Sequence, residues 1–125
     1  MNRILIIIGI GGFIGSIARY LSQQFFQKYF PSSFPFGTLW VNIAGCFLIG
    51  IIYAFSEKGN MLTPEWRLFL ATGFCGGFTT FSAFAFENIN LVRDGQFFYA
   101  AIYTGISVVA GILFAYLGVW LIKLF

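Results

Sequence analysis

The segment "GFCGGFTTFSAF", Gly73–Phe84, sets three glycines, two threonines and a serine inside an apolar stretch that runs from Trp66 to Phe86. In a soluble helix this choice would be a plain loss, because each glycine weakens a helix by about 1 kcal/mol relative to alanine. In lipid the cost is larger, since an unpaired backbone amide or carbonyl has no water to turn to. How the segment reads therefore depends on the solvent around it.

Outward from the segment, the chain points to a bilayer. Its 125 residues are 59% hydrophobic and 9% charged, with a mean hydropathy of +0.88, whereas soluble domains carry about 25% charged residues. Four apolar runs predict spans at residues 4–22, 36–55, 66–89 and 97–124, each near or above the roughly 20 residues needed to cross the hydrocarbon. Runs such as "ILIIIGI" and "CFLIGIIYAF" lack the polar and apolar alternation of a membrane barrel. The expectation is an all-α membrane protein, one membrane domain over residues 1–125, with four transmembrane helices and a break in the third.

The connections fit this division. "SQQFFQKYFPSSFP" reads as a loop with a frayed helix end before Pro31. In "SEKGNMLTPEW", Thr63 is an N-cap, Pro64 takes the first helical position and Glu65 sits at the positive end of the dipole. Asp94-Gly95 marks the last turn. Arg3 ahead of a short apolar run imitates a signal peptide, but further membrane helices follow it, so the first segment is expected to stay as a span. Cys46 and Cys75 fall inside helices and read as small packing residues. The chain has no histidine.

With four spans, both termini and the second loop share one side, which collects Arg3, Lys58, Arg67 and Lys123; the other collects Arg19, Lys28 and Arg93. Positive charge on one side normally sets orientation. So even a distribution predicts insertion both ways up, unless one dominant helix or the lipid decides. Small residues recur at four-residue spacing in Gly11 and Gly15, Gly73 and Gly77, Ala101 and Gly105, and Ser107, Gly111 and Ala115. Such faces let helices approach closely, within a subunit or between subunits.

Catalytic patterns are absent: the glycine string lacks the lysine of a phosphate loop, and no nucleophile set or carboxylate pair occurs. No enzyme activity and no nucleic-acid partner are expected. Attention passes to the polar residues within the spans, Arg19, Thr38, Asn42, Thr79, Thr80, Ser82, Glu87, Tyr103, Thr104 and Ser107. Intramembrane polar groups face the protein interior or a water-filled path. Serine and threonine can instead return a hydrogen bond to their own helix, and Arg19 and Glu87, near helix ends, can snorkel or pair. Asn42 has no such cheap outlet. Phe81 and Phe84 share a helix face, and the positive edge of an aromatic ring can meet a small anion without trapping it.

The combination "GTLWVNIAGCFLIG", "TGFCGGFTTFSAFAFE" and "YTGIS" on four short spans resembles the CrcB/Fluc family of fluoride channels, over essentially the whole chain. The resemblance implies an antiparallel, dual-topology homodimer in the bacterial cytoplasmic (inner) membrane, in contact with lipid, with two narrow fluoride pores and a structural sodium ion at the dimer interface. By the same resemblance, Asn42, Phe81, Phe84, Tyr103 and Ser107 line the fluoride pathway. Gly76 and Thr79 offer backbone carbonyls to the sodium, and Arg19, Thr38, Thr80, Ser82 and Glu87 match family positions of less defined role. Cys75 and Phe78 stand where the family commonly has aliphatic residues. The implied function is passive export of cytoplasmic fluoride, which enters as neutral HF and is trapped as the anion. The rival is a proton-coupled transporter of the small multidrug-resistance type, which needs a carboxylate in its first helix; none is present here.

Overall fold

The computed structural model describes residues 1–59 and 62–125; Asn60 and Met61 of the second connection lie outside the described residues. Among those described, the chain is helical and has no strand. Helix α1 covers Asn2–Tyr29 and α2 covers Phe36–Glu57. The third apolar segment, Pro64–Arg93, is composite. It opens with α3 (Pro64–Arg67), widens into a π-helical stretch over Leu68–Cys75, and returns to α-helix in α4 (Gly76–Phe78). Then α5 (Phe81–Arg93) follows, and α6 (Phe97–Lys123) completes the chain. Four of these segments are long and apolar enough to cross a membrane.

The start of α3 follows from its residues. Thr63 Oγ1 accepts from the Trp66 amide at 3.2 Å, with Pro64 in the first turn. That bond satisfies one of the amides a helix start leaves unpaired. Gly95 takes φ +75° in the last connection, a conformation that glycine adopts without steric cost. The first connection is shorter than "SQQFFQKYFPSSFP" suggested, because α1 continues to Tyr29. Apolar rings stack along that last stretch, Phe25 on Tyr29 at 4.9 Å and Phe26 on Phe30 at 5.6 Å. Rings four residues apart meet on one helix face, which keeps a glutamine-rich end helical.

Two glycine seams organise the packing. In the first, α1 lies against the π-helical stretch and α4. A Cβ on Gly11 would sit 2.5 Å from the Phe69 carbonyl oxygen, and one on Gly77 equally close to that of Gly12. In the second, α2 lies against α6, where a Cβ on Gly118 would come within 2.4 Å of the Phe47 carbonyl oxygen. The absence of side chains is what allows backbones to touch, and close packing is the main source of helix association in lipid. Gly105, by contrast, has nothing within 4 Å of a Cβ position. The Ala101–Gly105 face is therefore unused within the subunit.

The interior is small and partly polar. Tyr103, Val41 and Thr38 are the largest fully buried side chains, whereas Ile6, Phe13, Leu113, Tyr116 and many other apolar residues lie on the outside. A soluble protein exposes no apolar surface on this scale. A bilayer makes it the ordinary condition, with hydrocarbon as the solvent.

Candidate functional site

The unusual segment quoted above holds the centre of the site. The backbone is extended at Thr79 (φ −85°, ψ 158°) and Thr80 (φ −150°, ψ 123°), between α4 and α5. The glycines and the threonines of the segment play different parts. Gly76 is helical, with φ −62° and ψ −36°, and Gly77 serves close approach to α1. The β-branched threonines, which favour extended backbone, carry the departure. A Cβ on Gly76 would meet nothing nearer than the Ala71 carbonyl oxygen at 3.9 Å.

Asn42, on α2, secures the extended pair. Its Nδ2 donates to the Thr80 carbonyl at 3.0 Å, and its Oδ1 accepts from the Thr80 amide at 2.8 Å. One side chain thus replaces the donor and acceptor that a continuous helix would supply. Because the Thr80 amide is drawn to Asn42, the Gly76 carbonyl is left without the i+4 donor of a continuing helix. Thr79 Oγ1 donates to the Cys75 carbonyl at 2.9 Å, the return bond to its own helix. Thr80 Oγ1 accepts from the Ala83 amide at 3.2 Å as N-cap of α5, and lies 3.4 Å from Ser82 Oγ. An open groove runs beside these residues, lined by Asn42, Gly45, Cys46, Cys75, Gly76 and Thr79.

Arg19 is tied to the third segment: its Nε donates to the Gly77 carbonyl at 3.0 Å. It does not pair with Glu87. Among the described residues the only ion pair is Arg3 with Glu65, 2.9 Å apart at the exposed ends of α1 and α3. Glu87 instead accepts from two hydroxyls, Thr38 Oγ1 at 2.7 Å and Tyr103 Oη at 2.9 Å. Three elements, α2, α5 and α6, converge on one carboxylate. Phe84 packs against Tyr103 at 5.0 Å between ring centres, and Phe81 lies 5.6 Å from Phe84. Phe81 is 79% exposed on the subunit, so Phe84 is the one ring it meets within this chain among the described residues. The Ser107 hydroxyl is buried and has no hydrogen-bond partner among the described residues. Farther along, Thr104 Oγ1 donates to Asn88 Oδ1 at 3.2 Å.

Sequence reasoning missed Gln23. It belonged to the run read as a loop, yet it sits one helical turn after Arg19 on a helix face, and its Nε2 donates to Thr38 Oγ1 at 3.1 Å. That spacing was the available signal. Gln23, Thr38 and Glu87 all line a cavity of about 680 Å³ between the end of α1, the first connection and α5.

The fold and the polar string through its interior define a small integral membrane protein of four spans, built to hold polar side chains away from lipid. The chain belongs to the CrcB-like family (CrcB-like protein, Camphor Resistance), whose family model matches residues 6–119. It is similar to the fluoride-specific ion channel FluC of Chlorobium phaeobacteroides strain BS1, with 51% identity over 96% of this chain and 93% of that one. It is 47% identical to FluC of Leptospira interrogans serovar copenhageni over 99% and 98% of the two chains. The FluC of Flavobacterium psychrophilum is 43% identical over 93% and 94%.

Proposed function

We infer that this chain is a fluoride channel of the bacterial inner membrane that exports cytoplasmic fluoride by passive conduction. The carrying observation is the end-to-end similarity to proteins that all bear the name fluoride-specific ion channel. The chemistry of the interior agrees with it: hydroxyl, amide and ring-edge groups can replace the water shell of a small anion, while no lysine lies among them to trap it. The multidrug-type alternative is set aside, since the matching family model and the relatives named above point to the fluoride channels and its first-helix carboxylate is missing.

The finer reading concerns assembly and ions. Phe81 and the open groove beside Asn42, Gly76 and Thr79 are unfinished surfaces in a single subunit. A second, antiparallel copy would cover them, making a dual-topology homodimer with Phe81, Phe84, Asn42, Tyr103 and Ser107 along each fluoride path. The break at Thr79 and Thr80 then has a use. The Gly76 carbonyl, freed from its helical donor, and the Thr79 carbonyl are hard oxygen ligands suited to sodium. Two copies would double the set, and a bound sodium would supply positive charge that ties the two interrupted helices together. Asn42 also holds the extended backbone, and the remaining residues act through position: Arg19 anchors Gly77, and Thr80 and Ser82 stand at the start of α5.

The test is fluoride efflux from proteoliposomes, measured against empty liposomes and against proton-coupled cation uptake. Fluoride efflux that dissipates its gradient without a proton gradient is the expected result. Cation uptake in its place would assign the chain to the transporter class.

A further inference from the structure

The hydrogen-bond chain that ends on Glu87 begins outside the residues that the family resemblance marks. Gln23 Nε2 can only donate, and it donates to Thr38 Oγ1 at 3.1 Å. A hydroxyl that accepts at its oxygen keeps one proton to give, and the acceptor within reach is Glu87 Oε2, at 2.7 Å. The bond from Gln23 thereby sets the direction of the Thr38 proton. Glu87 receives its second donor from Tyr103 at 2.9 Å. The contact is built into the backbone: at Gly37 a Cβ would lie 3.1 Å from the Gln23 Cα, so a glycine next to Thr38 is what lets α1 come this near. Thr38 itself is buried.

We propose that Gln23 is a positioning residue for ion conduction: from the wall of the cavity it commits the Thr38 proton to Glu87, and so keeps the carboxylate doubly bonded and the Tyr103 hydroxyl held beside Phe84. The proposal rests on the fluoride-channel reading for its consequence, but not for its geometry. Without the Gln23 donor, the Thr38 hydroxyl is free to turn to its own helix backbone, where threonine finds an alternative acceptor. Glu87 then keeps one donor in place of two. The other groups that face Glu87 are few. Thr38 comes from α2 and Tyr103 from α6, while Asp94 and Tyr20 share the cavity from the end of α5 and from α1. Arg19 is turned to Gly77.

The test compares the wild-type protein with Gln23→Met, which keeps length and removes the donor, and with Gln24→Met, a neighbour in the same cavity that has no bond to Thr38. Infrared spectra of the reconstituted protein, with the Glu87 carboxyl band identified by its loss in Glu87→Gln, report the hydrogen bonding of that carboxyl group. Fluoride efflux from the same preparation gives the flux. Gln23→Met should shift the band, and flux should fall by about threefold or more. Gln24→Met should do neither. In a Thr38→Val background, Gln23→Met should add no further shift. An unmoved band in Gln23→Met, or an equal shift without the Thr38 hydroxyl, would overturn the proposal. If the wild-type protein failed to conduct fluoride, the infrared band would still judge the hydrogen-bond chain, and only the functional reading would fall.

Discussion

Asn42 concentrates more of the local structure than any other side chain, because both of its polar atoms are spent on the backbone of Thr80. Asn42→Ala leaves the half-buried Thr80 amide and carbonyl without this partner, at a cost of about 1 kcal/mol or more. Asn42→Asp is expected to be no better: it keeps the acceptor, loses the donor and sets a negative oxygen against the Thr80 carbonyl. Both variants should lower the thermal unfolding temperature in detergent and abolish fluoride efflux; a conducting Asn42→Asp protein would show that its amide donor is dispensable. The two phenylalanines divide differently. Phe81→Ile removes a ring that touches little inside the subunit, whereas Phe84→Ile also removes a contact with Tyr103. Efflux should fall by orders of magnitude in both, with a stability loss confined to Phe84→Ile. Wild-type efflux in the two variants would return both rings to a packing role.

At the scale of the element, the third apolar segment is a helix in pieces, and each piece has its own cause. Thr63 caps its start, so Thr63→Ala should cost about 1 kcal/mol, seen as a small fall in unfolding temperature with efflux retained. The π-helical stretch brings Gly73 and Phe74 against Gly11 and Gly15, and widened turns of this kind often accompany functional sites. Gly77→Val would drive a side chain into the Gly12 backbone. Overpacking of that kind costs about 1 to 3 kcal/mol, and here it also pulls at the carbonyl that Arg19 holds. Gly76→Val is the contrasting case. Its position is helical and roomy within the subunit, so a valine there has no reason to distort the backbone of a single copy. If the variant unfolds as the wild type does yet fails to assemble or conduct, the conflict must lie between subunits. Loss of the single subunit's fold would contradict this reading.

For the whole molecule, the governing fact is the spread of positive charge, with Arg3, Lys58, Arg67 and Lys123 on one side against Arg19, Lys28 and Arg93 on the other. Four against three leaves little asymmetry to direct insertion. Cysteine labelling from the two sides should find chains in both orientations. A lysine cluster added at the C-terminus should force one orientation and silence efflux, and a copy biased the opposite way should restore it. Labelling of an active wild-type protein from one side only would remove the antiparallel pair.

Membrane residence and the number of spans follow from the sequence alone, because runs near 20 apolar residues answer to the thickness of the bilayer and to nothing else in the fold. The Thr63 cap and the Asp94-Gly95 turn were equally legible, since their bonds are local. What the polar residues do was not. Only tertiary contact decided that Asn42 holds Thr80, that Arg19 turns to a carbonyl and not to Glu87, and that Glu87 gathers hydroxyls from α2 and α6. It also recruited Gln23, whose residue type signals nothing until Gly37 brings α1 against α2. The physical reason is one of range. Hydrophobic length and capping act within a few residues of the chain, whereas the partner of a buried polar group comes from another helix, and its identity is set by how closely the glycine seams let those helices approach.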